Sequence, residues 1–581
     1  MPERLSLAVD RNVPVPMRDG VVLFADVYRP AGPGPYPTLL TRTPYDKQNT
    51  AATAPFILRA AGRGYSVVVQ DVRGRFESEG SFFPFVNERQ DGYDTLEWLV
   101  AQPWCDGEIG MFGGSYVGMT QWQAAIGGHP ALKTIVPNIT AADYHAGWAY
   151  QGGAFQLGFN LSWTMSVLAI NTVLRKRKED PAADAIFHAL LDGADNLPEE
   201  FARLPLGGHE ILHEFAPYYD DWMSHPTYDD FWVNLDVSTR HDALHVSALN
   251  IGGWYDIFLK GTVDNFTGMR AQAPAAVRDR QGLLLGPWNH GGMARGNPIG
   301  AYDFGMRSTG AVIDVDGIHL RWYDRWLRSI ENGMDAEPPV RLFVMGTNRW
   351  RSENEWPLAR TEWQEWFLHS GGKANSLHGD GALSRESPAA SEPPDSYAYN
   401  PRNPVPTMGG GLCCNAVFNL GGAYDQRSVE TREDVLVYTT LPLEQPVEVT
   451  GPIKLILCAS SSAPDTDWTA KLVDVSPCGY ARNLTDGILR ARYRTSMREG
   501  TPITPGDVIE YEIDLWSTSN IFLPGHSIRL EISSSNFPRF DRNPNTGELP
   551  GHSAEMISAL QTVFHSSEHP SRLILPVVPT L

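Results

Sequence analysis

The stretch Ile109-Gly-Met-Phe-Gly113-Gly114-Ser115-Tyr116-Val117-Gly118 decides the fold. Residues 109–113 are short and apolar, as a buried strand requires, and Ser115 opens a run through Gln121 to Ala125 with helical character. A serine set between strand and helix and flanked by glycines is the context of a nucleophile elbow. The tight turn exposes the hydroxyl and aims backbone N–H groups at a developing oxyanion. The common Gly-x-Ser-x-Gly spacing is not met, because Val117 occupies the second glycine position and Gly118 comes one residue late.

Outward from this turn the chain reads as α/β. Upstream, residues 13–17 and 21–28 flank an Asp19-Gly20 turn as an antiparallel hairpin. Apolar strands at 36–41 and 65–69 are separated by a helical stretch around 50–62, and a helix is predicted over 91–101. From about residue 141 to 240 the strand rhythm gives way to long runs such as 161–175 and 181–191, which read as a helical insertion. Strands resume at 246–251 and 282–286, a helix around 318–329 follows, and 340–344 is one more strand. Beyond Gly346 short alternating strands broken by Gly, Pro and Asn, such as 447–450, 453–457, 508–513 and 528–532, favour a β-sandwich or jelly roll. The expected organisation is an α/β-hydrolase domain in two parts, 1–140 and 241–345, a helical cap insertion at 141–240, and a jelly-roll β-sandwich at 346–581. The segment 371–396, rich in Gly, Ser, Pro and Glu, reads as a surface loop. At roughly 150 residues per domain, a chain of 581 residues has room for this division.

A neutral hydroxyl is a weak nucleophile, so Ser115 needs a histidine base and a carboxylate to orient it. In this fold the acid and then the histidine follow the serine, on loops after later strands. The strand at 246–251 runs into Gly252-Gly-Trp-Tyr-Asp256, and the strand at 282–286 runs into Pro287-Trp-Asn-His290-Gly-Gly. Ser115, Asp256 and His290 therefore occur in the required order. Among 16 histidines His290 is chosen by this context, with His129, His145 and His245 as the nearest competitors.

Together with Pro44-Tyr45, Asp71-Val-Arg73-Gly74-Arg-Phe-Glu-Ser78-Glu-Gly80, Gly253-Trp-Tyr-Asp256 and Gly286-Pro-Trp-Asn-His290-Gly, the elbow resembles the family of cocaine esterases, Xaa-Pro dipeptidyl-peptidases and α-amino acid ester hydrolases. The resemblance covers essentially the whole chain, and the displaced glycine is that family's usual Gly-x-Ser-Tyr-x-Gly form. It implies an α/β-hydrolase domain with an inserted helical cap and a C-terminal jelly roll. It also implies Ser115 as nucleophile, His290 as general base and acid, and Asp256 as the group orienting the imidazole. The Tyr45 phenol and the backbone N–H of Tyr116 would form the oxyanion hole. Asp71, Arg73 and Ser78 read as a structural network beside the site. The helix at 118–125 and the insertion are most similar to the cocaine esterase branch, which implies an acyl pocket walled by Trp148, Trp163 and Phe258. Leu412 and Cys413 would add two apolar side chains from the C-terminal domain, and Cys413 in place of an aromatic implies a pocket of different size or shape.

Composition narrows the partners. Hydrophobic residues at 42% and charged residues at 20% are those of a globular protein. With 47 basic and 68 acidic residues the formal charge is −21, which disfavours nucleic acid and anionic lipid. The first ten residues lack a signal-peptide core, and no later run looks like the ~20 apolar residues of a membrane span, so a soluble, cytoplasmic protein without a membrane partner is expected. The five cysteines, Cys105, Cys413, Cys414, Cys458 and Cys478, are expected as reduced thiols, the adjacent pair as buried small residues and not as metal ligands. No metal and no cofactor are expected. The expected function is that of a serine carboxylesterase acting on a small-molecule ester, with a homo-oligomer left open. An Xaa-Pro dipeptidyl-peptidase or α-amino acid ester hydrolase is the enzymatic alternative, for which Asp220, Asp221, Asp229 and Asp230 are candidates to hold a substrate ammonium. A non-catalytic binding protein is the second alternative.

Overall fold

The computed structural model describes residues 6–49, 54–177, 180–415, 417–418, 420–549 and 551–579. The first part of the chain builds a ten-stranded sheet. Its strands are β1 (Leu7–Pro16), β2 (Val22–Pro30), β3 (Tyr36–Thr43), β4 (Ser66–Asp71), β5 (Cys105–Gly114), β6 (Leu132–Asn138), β7 (Ser247–Tyr255), β8 (Gln281–Asn289), β9 (Val340–Val344) and β10 (Arg349–Glu353). Across the sheet they run β1-β2-β4-β3-β5-β6-β7-β8-β9-β10. The strands from β4 to β9 are parallel, and antiparallel pairs close both edges. Every residue of β4 and of β7 is buried, as in a parallel sheet covered on both faces.

The strand order reverses between β3 and β5. From β3 the chain crosses to β4 on one side, then returns to β5 on the other, so the loops leaving the carboxyl ends of β3 and β5 diverge and leave a crevice. Tyr45 lies just past β3 and Ser115 just past β5, so the topology alone brings both to that crevice.

Several expectations shift in detail. The early helix is Ala54–Gly62, and residues 50–53 of its expected span lie outside the described residues. The helix predicted over 91–101 begins earlier, as Glu88–Val100. The sheet passes residue 345, because β10 folds back antiparallel on β9 with Val340 opposite Glu353. The segment 371–396 is not all loop, since Ala382–Ser384 pairs with the strand Glu362–His369.

Between β6 and β7 the chain is mainly helical, from Leu157–Trp163 to Asp230–Val233, with a short ladder of Tyr150–Gln151 against Ala154–Phe155. The helical run Leu157–Arg177 is long and apolar enough to cross a membrane by length and composition, which corrects the expectation that the chain has no such run. Its most apolar window is 67% buried within the fold, where Leu161, Met165 and Leu168 join the core.

The C-terminal part forms an eleven-stranded sheet system. The long strand Val447–Ser461 pairs antiparallel with Ile509–Phe522, and Asp467–Val475 lies between Ala481–Arg490 and Ser527–Ser533. Buried polar contacts tie it to the first part. The Tyr255 hydroxyl donates to the Asn483 carbonyl at 2.9 Å, and the Phe155 N–H donates to Asp541 at 2.8 Å. Arg490 bridges Asp467 and Asp541 with both acids out of water, where removing one partner would strand a buried charge.

Candidate active site

At the elbow a single residue separates the end of β5 from the start of the helix Tyr116–Gly127. Ser115 sits between them at φ 61° and ψ −127°, a conformation a non-glycine residue keeps only where its surroundings impose it. Its N–H donates to the Asn138 carbonyl at 2.9 Å, which ties the turn to the end of β6. The glycines have steric causes. A Cβ on Gly113 would lie 2.3 Å from the Val117 side chain, and one on Gly118 would lie 2.8 Å from Thr140. Gly118 is thus needed for close packing of the helix start on Thr140, and this explains its place one residue beyond the common spacing.

A buried polar network holds the elbow from below. The Tyr116 hydroxyl donates to Glu88 at 2.8 Å and accepts from the Phe85 N–H at 3.1 Å. Arg42 Nη1 donates to the other Glu88 oxygen at 2.8 Å, and Arg42 Nε donates to Gln70 at 2.7 Å. Burial raises the Glu88 carboxyl pKa, and Arg42 works against that rise. Arg42 and Glu88 were not singled out in the sequence, although a charged residue inside the apolar strand β3 is a signal for such a buried pair. Asp71, Arg73 and Ser78 form the neighbouring contacts. Asp71 holds Lys47 at 3.1 Å, Arg73 holds Asp91 at 2.6 Å, and the Ser78 hydroxyl donates to the Asp71 carbonyl at 2.7 Å.

Asp256 and His290 each follow the last residue of a parallel strand, β7 and β8. His290 Nδ1 lies 2.9 Å from Asp256 Oδ2, and Asp256 Oδ1 accepts the Phe258 N–H at 2.7 Å. The Phe258 ring stands edge-on to the imidazole with centroids 5.3 Å apart. Burial pushes the Tyr45 phenol up to about 12, and polar contacts with the Trp163 indole and the Ser115 hydroxyl oppose that rise.

Tyr45, Ser115, Trp163, His290, Leu412 and Cys413 line one cavity of about 660 Å³. Trp148 and Phe258, expected in the same wall, do not line it. They stand one layer back, stacked on each other with centroids 4.3 Å apart, and Trp148 packs against Trp163 at 5.4 Å. Two of the competing histidines are engaged elsewhere, His129 with Glu97 at 3.0 Å and His145 with the Pro226 carbonyl at 2.9 Å, where burial lowers its pKa to about 4. The third, His245, is exposed and does not line the cavity. Asp220 pairs with His213 and Asp229 with His225, and none of Asp220, Asp221, Asp229 and Asp230 lines the cavity. Among the described residues lining the cavity none is acidic, and Arg295 is the basic one.

Cys413 and Cys414 are joined by a disulfide, whereas Cys105, Cys458 and Cys478 are thiols. This corrects the expectation of five reduced cysteines. With Cys414 at φ 75°, the two consecutive side chains meet.

Residues 19–292 match the family model of the X-Pro dipeptidyl-peptidase (S15 family), and residues 332–574 match that of the X-Pro dipeptidyl-peptidase C-terminal non-catalytic domain. Cocaine esterase of Rhodococcus sp. (strain MB1 Bresler) is 40% identical over 580 residues, covering 98% of this chain and 99% of that protein. The chain belongs to this family. It is an enzyme, a hydrolase of the carboxylesterase kind, with an α/β-hydrolase fold and a C-terminal non-catalytic β-rich domain. Two solved structures extend the likeness over nearly all of the chain. An aminopeptidase from the marine sediment archaeon Thaumarchaeota archaeon is 27% identical with a TM-score of 0.81, covering 100% of this chain and 98% of its own. An α-amino acid ester hydrolase is 26% identical with a TM-score of 0.80, covering 99% and 97%.

Proposed function

We propose that this enzyme cleaves carboxylic esters of small or aromatic acids through an acyl-enzyme on Ser115. The observation that carries the reading is the convergence of Ser115, His290 and Tyr45 on one cavity, with Asp256 behind the imidazole. His290 Nε2 takes the Ser115 proton as Oγ attacks the ester carbonyl carbon. The carbonyl oxygen becomes an anion and receives hydrogen bonds from the Tyr45 phenol and the Tyr116 N–H, at the positive end of the helix Tyr116–Gly127. When the tetrahedral adduct collapses, the alcohol leaves with the proton from His290. A water activated by the same imidazole then releases the acid. These side chains can carry every step without a cofactor.

In this reading the helices between β6 and β7 act as a cap that brings Trp163 over the acyl group, with Trp148 and Phe258 as its backing. The C-terminal strands form a jelly roll whose loop supplies Leu412 and Cys413. The aminoacyl alternative needs a carboxylate for the substrate ammonium, and the absence of an acidic side chain among the described lining residues speaks against it. The test is labelling with a fluorophosphonate followed by a panel of benzoyl, acetyl and alanyl-prolyl substrates. An adduct on Ser115, loss of turnover in Ser115→Ala and preference for simple esters support the proposal. An adduct on another serine, or preference for the alanyl-prolyl substrate, overturns it.

A further inference from the structure

His290, Cys413 and Cys414 each offer a donor atom, and the three atoms lie within 4.8 Å of one another at the cavity. Asp256 already occupies His290 Nδ1, so the ring presents its Nε2 lone pair to the cavity. A carboxylate behind an imidazole is also the outer-shell arrangement that orients histidine ligands of metals and raises their basicity. The two sulfurs belong to consecutive residues, one buried and one exposed, so the cluster can be reached from solvent.

We propose that reduction of the Cys413–Cys414 bond turns this part of the site into an inhibitory site for a thiophilic divalent cation of the Zn²⁺ class. The inference rests on the proposed role of His290. A thiol or phosphine reductant supplies two electrons to the S–S bond. Two thiols form, and the reductant leaves as its disulfide or, with water, as the phosphine oxide. The cation then displaces one proton from each thiol and takes two thiolates and His290 Nε2, with an outer position left to water. Thiolates and imidazole are the donors such a cation prefers. Tetrahedral bonds of about 2.3 Å to sulfur and 2.0–2.1 Å to nitrogen separate donors by roughly 3.5 Å, so the histidine needs only a small approach once the sulfurs part. With the disulfide closed, the sulfurs hold no thiolate and the imidazole stays available to Ser115. The enzyme would be active when oxidised and blocked by metal when reduced.

The experiment uses the full chain in a Cys478→Ser background, which removes the exposed third thiol. The protein is treated with a phosphine, the phosphine is removed, and Cd²⁺ is added as the probe. Binding is read from the ultraviolet thiolate–cadmium band, and inhibition from turnover of phenyl acetate relative to each sample's own metal-free rate. One equivalent should give the band and block the reduced enzyme, while the oxidised enzyme shows neither. Cys414→Ser should raise the inhibiting Cd²⁺ concentration by about tenfold or more, the least that losing a supporting outer-shell group costs. His290→Ala should keep the band but bind Cd²⁺ more weakly, a readout that does not depend on catalysis. A band without inhibition, no band in the reduced protein, or equal Cd²⁺ affinity with and without His290 overturns the proposal. Absence of activity in metal-free protein would instead count against the catalytic reading and leave the binding measurement standing.

Discussion

Asp256 holds His290 with one carboxylate oxygen, at 2.9 Å from Nδ1, while its other oxygen is fixed by the Phe258 N–H at 2.7 Å. Both oxygens are therefore committed, and the carboxylate cannot turn away from the ring. This places the imidazole proton on Nδ1 and the lone pair on Nε2, facing the cavity. Asp256→Asn keeps the shape but can present an N–H to Nδ1 and favour the wrong tautomer. Its kcat should fall by about 10³ to 10⁴ with little change in thermal stability. Steady-state kinetics beside a melting curve checks this, and a folded variant within tenfold of the wild type would remove Asp256 from its orienting role.

Tyr45 acts in the transition state, when the ester oxygen carries its charge. Tyr45→Phe retains the ring and removes the donor, so kcat should drop by about 10² to 10³ while KM changes little. With its pKa pushed up to about 12, the phenol remains protonated through neutral and mildly alkaline pH. The wild-type kcat should consequently show no alkaline loss from Tyr45 between pH 7 and 10. A raised KM at unchanged kcat would make Tyr45 a packing residue.

Asp143 gives a prediction for stability. Burial first, and then Asp236, raise its pKa to about 7, against the opposing N–H groups of Ala146 and His145. The folded state thus keeps a proton that the unfolded chain releases near its ordinary value of 3.8. The resulting stabilisation is complete below that value and is lost as pH rises through about 7. Asp143→Asn preserves the accepting oxygen and stays neutral. Its melting temperature should exceed that of the wild type by roughly 1 to 3 °C at pH 8, with a smaller difference at pH 5. A difference that is constant with pH would show that Asp143 is ionised at both values.

The parts of the site that follow from strand order could be read in the sequence. Ser115, Asp256 and His290 each stand at the end of a parallel strand, and short apolar runs announced those ends. What depends on contacts between distant segments could not be read that way. Trp148 and Phe258 are large aromatics near the right positions, but their mutual stacking draws them behind the cavity wall. The Arg42–Glu88–Tyr116 chain joins β3, a helix and the elbow: Arg42 inside an apolar strand signals that a buried partner exists, but no local spacing says which residue it is. The Cys413–Cys414 bond depends on the positive φ of Cys414, which composition does not encode.

The layering of the aromatics separates two variants that composition would treat alike. Trp163 lines the cavity and meets the Tyr45 phenol, so Trp163→Ala should cost both acyl groups something through Tyr45 and should cost a bulky acyl group more, because it also removes wall area. Its kcat/KM for benzoyl esters should fall by about 10- to 200-fold relative to acetyl esters. Phe258 touches His290 and Trp148 and does not line the cavity. Phe258→Ala should loosen the imidazole and lower kcat for both acyl groups by similar factors, along with a loss of stability of about 3 to 5 kcal/mol from the cavity it leaves. Paired kinetics on phenyl acetate and phenyl benzoate distinguish the two roles: equal losses in Trp163→Ala, or a benzoyl-selective loss in Phe258→Ala, would reverse the assignment of wall and backing.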